Sequence, residues 1–207
     1  MKKSLFAVFI FALLFVSNTS NAQVYEKGNV VVDAFYGFPN LYTAIVRGVY
    51  TNNSNNGTNT YTNLKIKSLG PLGITGEYLL SSKVGIGLEA TYASTGVTAN
   101  YYENQDGNTY AYSASINRLR ILPRVNIHFG DNDKVDPYLA LGMGYANTKF
   151  SYETANPHQT PVTFKSVVPI SYRMGFGVRY FFTDHIGAMV EFGFGGALLR
   201  GGLSVKF

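Results

Sequence analysis

Apolar and polar residues alternate along most of this chain, in blocks of about ten residues separated by turn residues. A period of two marks strands, whose successive side chains point to opposite faces. Eight blocks read this way. Residues 30–38 set Val30, Val32, Ala34, Tyr36 and Phe38 against Asp33. Residues 72–80 set Leu72, Ile74, Tyr78 and Leu80 against Thr75 and Glu77. Residues 84–92 set Val84, Ile86, Leu88 and Tyr92 against Gly85, Gly87 and Glu89. The fourth block, 112–129, opposes Leu119, Ile121, Val125, Ile127 and Phe129 to Arg118, Arg120, Arg124, Asn126 and His128. The fifth, 137–145, opposes Leu139, Leu141, Met143 and Tyr145 to Tyr138, Ala140, Gly142 and Gly144. The sixth, 172–182, opposes Tyr172, Met174, Phe176, Val178, Tyr180 and Phe182 to Arg173, Gly175, Gly177 and Arg179. The seventh, 186–194, opposes Ile186, Val190, Phe192 and Phe194 to Gly187, Met189, Glu191 and Gly193. The eighth opposes Leu199, Leu203, Val205 and Phe207 to Arg200, Gly202, Ser204 and Lys206.

The connections alternate in length. Short ones fall around Ser82, Asp131 and Asp184; long ones cover 40–68, 94–109 and 147–165. The last, at 195–197, is tight. With an even strand count both termini fall on the short-turn side. The outward aromatics sort by height: Tyr36, Phe38, Tyr92, Tyr145, Tyr172 and Phe194 at the loop end, Tyr78, Phe129, Tyr180, Phe182 and Phe207 at the turn end. Two aromatic rings around an aliphatic band is a membrane-interface arrangement. The expected fold is therefore all-β, an eight-stranded antiparallel up-and-down transmembrane β-barrel. Lipid leaves unpaired backbone groups unsatisfied, so strands cross it only in a closed ring.

Composition and the chain ends support that picture. Lys2 and Lys3 precede twelve unbroken apolar residues, 5–16, and Ser20-Asn21-Ala22 places small residues at a cleavage site. This is the pattern of a secretory leader, and the run is too short to span a bilayer as a helix. Residues 1–22 are expected to be removed between Ala22 and Gln23, leaving a barrel domain of 23–207, 185 residues (207 less 22). Losing Lys2 and Lys3 leaves 15 bases against 12 acids, a mild +3. No basic run suggests nucleic acid. There is no Cys, so neither a disulfide framework nor a lipoprotein anchor is expected.

The inward positions carry the candidate chemistry. Glycines leave room there for five acids (Asp33, Glu77, Glu89, Asp136, Glu191) and seven bases (Arg118, Arg120, Arg124, Arg173, Arg179, Arg200, Lys206). An eight-stranded barrel is just wide enough for side chains to fill it. A packed plug of ion pairs is expected; a gated ion path lined by the same residues is the alternative. His128, His158 and His185 fall on separate segments without metal-ligand spacing. Glycine pairs such as Gly175 and Gly177 lie on strands with no helix to follow, so no phosphate loop is expected. No catalytic residue, cofactor or metal is expected.

The segment Asp136-Pro137-Tyr138-Leu139-Ala140-Leu141-Gly142-Met143-Gly144-Tyr145, the turn Tyr180-Phe181-Phe182-Thr183-Asp184-His185-Ile186-Gly187, the terminal Leu203-Ser204-Val205-Lys206-Phe207, and Gly37-Phe38-Pro39-Asn40-Leu41 resemble the small bacterial outer-membrane β-barrel family. This is the OmpA/OmpX-like barrel domain often called a porin family protein, and the resemblance covers essentially the whole mature chain. It implies an outer-membrane location and insertion by the barrel-assembly machinery, with Leu203, Val205 and Phe207 as the assembly signal. It implies little about activity, since the family includes adhesins, immune-evasion proteins, membrane-tethering domains and members of no known role. Nothing follows Phe207, so no peptidoglycan-binding domain of the tethering type is expected. The expectation is a monomer in contact with outer-membrane lipids, without enzymatic activity, serving surface binding, adhesion or envelope integrity through its loops and an extracellular ligand. A narrow pore for ions or very small solutes is the alternative, and a lipid A-modifying enzyme the second.

Overall fold

A computed structural model of the chain describes residues 24–40, 42–45, 47–48, 61–103, 107–166 and 168–207. The expected leader, with its cleavage between Ala22 and Gln23, lies outside the described residues, as does most of the polar tract at 51–62. The described strands are β1 (Val30–Phe38), β2 (Tyr61–Ser81), β3 (Val84–Glu103), β4 (Asn108–His128), β5 (Val135–Thr154), β6 (Val162–Lys165), β7 (Ile170–Phe181), β8 (Ile186–Phe194) and β9 (Leu199–Lys206). Every pairing is antiparallel. β1 pairs with both β2 and β9, and β4 pairs with β5, so eight strands close into a ring. β6 stands outside that ring, paired only with the upper part of β5. The seam is laced to the last residue: Phe207 N donates to Val30 O at 2.9 Å and Val30 N to Phe207 O at 3.0 Å.

Burial is inverted relative to a water-soluble protein. β7 alternates without a break between exposed residues (Tyr172, Met174, Phe176, Val178) and buried ones (Ser171, Arg173, Arg179). Leu88, Leu141, Phe176 and Val190 all face outward, while Glu89, Arg124, Arg179 and Glu191 face the lumen. An apolar belt around a charged interior suits a barrel whose solvent is lipid. The aromatics Tyr36, Phe38, Tyr92, Tyr145, Tyr172 and Phe194 line its long-loop edge, and Tyr78, Phe129, Tyr180, Phe182 and Phe207 its short-turn edge, all exposed. A buried apolar cluster closes the short-turn end, where Val24 and Tyr25 tuck under the ring against Val31, Leu79 and Phe181.

Two of the expected long loops are largely strand. β3 and β4 run on until Glu103 pairs with Asn108, and β5 continues to Thr154. β2 likewise begins at Tyr61 rather than in the seventies. Above the belt the outward positions turn polar, as in Ser94, Gly96 and Thr98 of β3, while the inward Thr95, Val97 and Ala99 stay buried, so the apolar-outward pattern of a lipid-facing strand disappears. The Thr, Tyr and Val that remain still favour extended backbone, and the ladder simply continues from the barrel. β2 to β5 thereby project beyond the belt by about 30 Å along the strands. The wall bends at Gly70, whose φ of +74° belongs to the left-handed region, with a register shift between Leu69 and Leu72.

Candidate functional site

Inward positions of all eight ring strands meet in the lumen, and their charges form two layers. Arg179 centres the layer near the short turns. Its Nη2 donates to Asp33 Oδ2 at 2.8 Å and Glu77 Oε2 at 2.7 Å; its Nε donates to Asp33 Oδ1 at 3.1 Å; its Nη1 donates to Asp136 Oδ2 at 3.3 Å and Tyr25 OH at 3.1 Å. His128 bridges two of those acids, with Nε2 2.8 Å from Glu77 Oε1 and Nδ1 2.9 Å from Asp136 Oδ1. Ser204 Oγ donates to Asp33 Oδ1 at 2.7 Å. Burial pushes the Tyr25 hydroxyl well above its ordinary value, so it meets Arg179 as a neutral phenol.

The second layer surrounds Glu191 and Glu89. Glu191 Oε2 accepts from Arg200 Nη2 at 2.7 Å, Arg124 Nη2 at 3.0 Å and Tyr138 OH at 3.1 Å, and its Oε1 accepts from Arg173 Nε at 2.8 Å. Glu89 Oε2 accepts from Arg200 Nη1 at 2.8 Å and Arg124 Nη1 at 2.9 Å. Arg179 and Glu191 are both 0% exposed. Buried charges survive only when paired and hydrogen-bonded this thoroughly. The Tyr138 ring separates the layers, with the Arg179 guanidinium 4.5 Å from its centroid, and Arg200 stacks on Phe35 at 4.3 Å.

Three of the bases read as lumen charges meet neutral oxygens instead of carboxylates. Lys206 Nζ donates to Val24 O at 2.8 Å. Arg118 reaches Tyr42 OH and Ser171 Oγ, and Arg120 reaches Ser171 Oγ and Tyr172 O. Expecting every inner base to sit in an ion pair was therefore too simple; the acids lie deeper than these three reach. Tyr25, His128 and Tyr138 join the network without having been singled out by sequence. For His128 the signal was there, because it continues the inward face of Arg124 and Asn126 on β4. Tyr25 precedes the first strand and carries no periodicity to announce it.

The expected assembly residues lie on the seam strand. Leu203 pairs with Ala34 and Ala188, Val205 with Val32 and Ile186, and Leu203 and Phe207 face outward.

Glycine makes the packing of this lumen possible at particular points. A Cβ on Gly177 would fall on the Tyr138 ring, 2.8 Å from Cε1 and nearer to its tip. Gly177→Ala is therefore expected to displace Tyr138 from between Arg179 and Glu191 and to cost about 1–3 kcal/mol, as overpacking does. Urea unfolding of the protein in lipid vesicles checks this; an unchanged midpoint would show that Tyr138 has slack.

The long-loop end offers a second candidate site. The projecting strands carry an open groove of about 720 Å³, lined among others by Asn63, Lys65, Asn100, Tyr112 and Glu153. Tyr101 packs on Tyr112 with centroids 6.0 Å apart, Tyr112 on Tyr152 at 6.2 Å, and Asn156 Nδ2 donates to Tyr101 OH at 2.7 Å. Tyr102 is exposed. Tyr50 and the side chain of Tyr61 lie outside the described residues. Among the described residues no group of His, Asp and Glu is arranged to hold a metal ion.

The family model of the outer membrane protein beta-barrel domain matches residues 9–199. Three solved structures are similar. The N-terminal β-barrel domain of Pseudomonas aeruginosa OprF is 15% identical, with 88% of this chain and 100% of that chain covered and a TM-score of 0.44. Pseudomonas aeruginosa OprG is 13% identical, with 88% and 97% covered and a TM-score of 0.46. Ail of Yersinia pestis, solved with the heparin analogue sucrose octasulfate, is 11% identical, with 87% and 99% covered and a TM-score of 0.45. No curated protein matches the chain.

Proposed function

Because this chain belongs to the outer membrane protein beta-barrel domain family and resides in the outer membrane, we propose that it acts there as a non-enzymatic surface protein, binding or adhering through the structure it raises above the lipid. Short turns of such barrels face the periplasm and longer connections the exterior. That orientation sets the projecting β2 to β5 outside the cell. The observation that carries the reading is this projection: four strands of 20 or 21 residues stand among ring strands of 8 to 12. Membrane crossing alone needs only about 9–11 residues. The surplus forms a rigid, tyrosine-bearing surface, and tyrosine gives contact area with a polar tip at small entropic cost.

The lumen supports the same reading over a pore. Its cross-section is occupied by the two salt-bridged layers, with Arg179 and Glu191 wholly buried. Residues 1–22 serve in this reading as the removed leader, and the terminal strand as the signal read by the barrel-assembly machinery. The finished barrel works as a monomer surrounded by lipid.

The test joins a deletion strain, assayed for adhesion, permeability and lipid A composition, with planar-bilayer recording of purified protein. Replacing residues 98–113 by a tight turn at the Thr98–Ser113 pair is expected to abolish adhesion while leaving the barrel folded. No stable large conductance is expected. Ion-selective channels that vanish on neutralising Arg124 or Arg179 would establish the pore instead, and altered lipid A the enzyme.

A further inference from the structure

The outer mouth of the lumen gathers guanidinium groups that no carboxylate meets. Arg118 Nη2 and Arg120 Nε both donate to Ser171 Oγ, at 3.4 and 2.9 Å, which places the two cations side by side. Arg173 approaches from the next wall. A Cβ on Gly196 would lie 3.3 Å from Arg173 Nη1 and closer still to Arg120 Nη1, so the two guanidinium groups converge on that glycine. The nearby acids are already occupied: Glu89 holds Arg124 and Arg200, and Glu191 holds Arg124, Arg173 and Arg200. In this half of the lumen five guanidinium groups (Arg118, Arg120, Arg124, Arg173, Arg200) face two carboxylates (Glu89, Glu191), an excess of three positive charges. The other half holds three carboxylates against Arg179, His128 and Lys206.

A chamber lies beside these cations. It encloses about 190 Å³ and is lined by Arg118, Arg120, Tyr42, Thr91, Pro71 and Gly196 among others. That is space for roughly six waters at about 30 Å³ each. Its roof is held in place. Asn40 Oδ1 accepts from the backbone N–H groups of Tyr42 and Thr43, capping the helical turn that follows, while Asn40 Nδ2 donates to Ser68 Oγ and Leu69 O. Thr43 Oγ1 bonds Ser68 Oγ at 2.6 Å and lies 2.9 Å from Thr95 Oγ1. Donors are left over. Arg118 Nε and Arg173 Nη2 are buried without a partner among the described residues, and Arg120 is only 5% exposed. Like charges crowded in a low dielectric repel strongly, and buried guanidinium donors without acceptors are costly.

We propose that this chamber binds a small oxyanion of the phosphate or sulfate class, with Arg118 and Arg120 as the residues that face it. Forked, fixed donors match the several oxygens of such an anion better than they match chloride. The anion arrives either free or as the ester group of a larger molecule at the cell surface. The inference stands on the lumen mouth alone and does not depend on the adhesive role of the projecting strands.

The experiment is calorimetric titration of purified protein in neutral detergent with inorganic phosphate and, separately, glycerol phosphate, at constant ionic strength in sodium chloride. Saturable binding at one site per chain is expected, together with a higher urea midpoint in phosphate than in chloride. Arg120→Gln and, separately, Arg118→Gln are each expected to weaken binding by about tenfold or more, the loss of charge-assisted hydrogen bonds. Arg118 is the less buried, so its variant remains readable if Arg120→Gln folds poorly. Equal affinity for both probes supports a free anion as occupant, and tighter ester binding supports a phosphorylated molecule. No saturable binding and no midpoint shift, or binding unchanged in a folded Arg118→Gln protein, would overturn the proposal.

Discussion

Replacing Arg179 by Met is expected to destabilise the folded barrel by about 3–5 kcal/mol, the cost of removing one partner from a buried charge cluster. Arg179 contacts Asp33, Glu77 and Asp136 within 3.3 Å and is wholly buried. Without it the three carboxylates keep, among the described residues, only the His128 and Ser204 side chains as partners in that layer. Methionine keeps an unbranched stem as far as the Nε position and supplies no donor, so the loss reflects pairing more than packing. The measurement is urea unfolding in lipid vesicles. Adding Asp33→Asn to Arg179→Met is expected to recover part of the loss, because it removes one of the stranded charges. A single-variant cost below about 1 kcal/mol, the range of exposed pairs, would mean that water reaches this layer.

The second large effect lies on the outer face. Leu141 pairs with Val125 and Met174 near mid-depth and is 42% exposed. Leu141→Arg is expected to cost about 2–4 kcal/mol, as an arginine does at the bilayer midplane. Tyr145 lies on the same face of the same strand, at the aromatic ring near the loop end. Tyr145→Arg is expected to lose only about 0–1 kcal/mol of lipid-facing charge penalty, because the guanidinium there reaches the interface. The pair tests depth with strand, face and substituent held constant. Equal costs at both positions would show that the belt is not centred on Leu141.

Strand existence and facing were legible wherever one face met lipid and the other the lumen. β1 and β8 begin and end where their alternation does, at Val30, Phe38, Ile186 and Phe194. The same rule failed above the belt. Residues 94–103 and 147–154 read as loop because the lipid-facing apolar positions give way there to Ser94, Gly96, Thr98, Asn147 and Lys149, although the backbone ladder continues. The inward acids and bases were legible as a set, since a period of two assigns each to a face. Their partners were not. Arg179 and Asp33 are 146 positions apart, and Arg200 and Glu89 111.

Local alternation, turn chemistry and the sorting of aromatics by height determined an eight-stranded barrel, the facing of its strands and the residues that line its lumen. These are properties of neighbouring residues, written directly into the order of the chain. Only the closed ring decided which charges meet, that His128 bridges Glu77 and Asp136, that Tyr25 plugs one end, and that Arg118 and Arg120 remain apart from any acid. The reason is geometric. Shear and closure set the height of each inward side chain against strands far away in sequence, and ångström differences in height separate an ion pair from a cation facing a chamber.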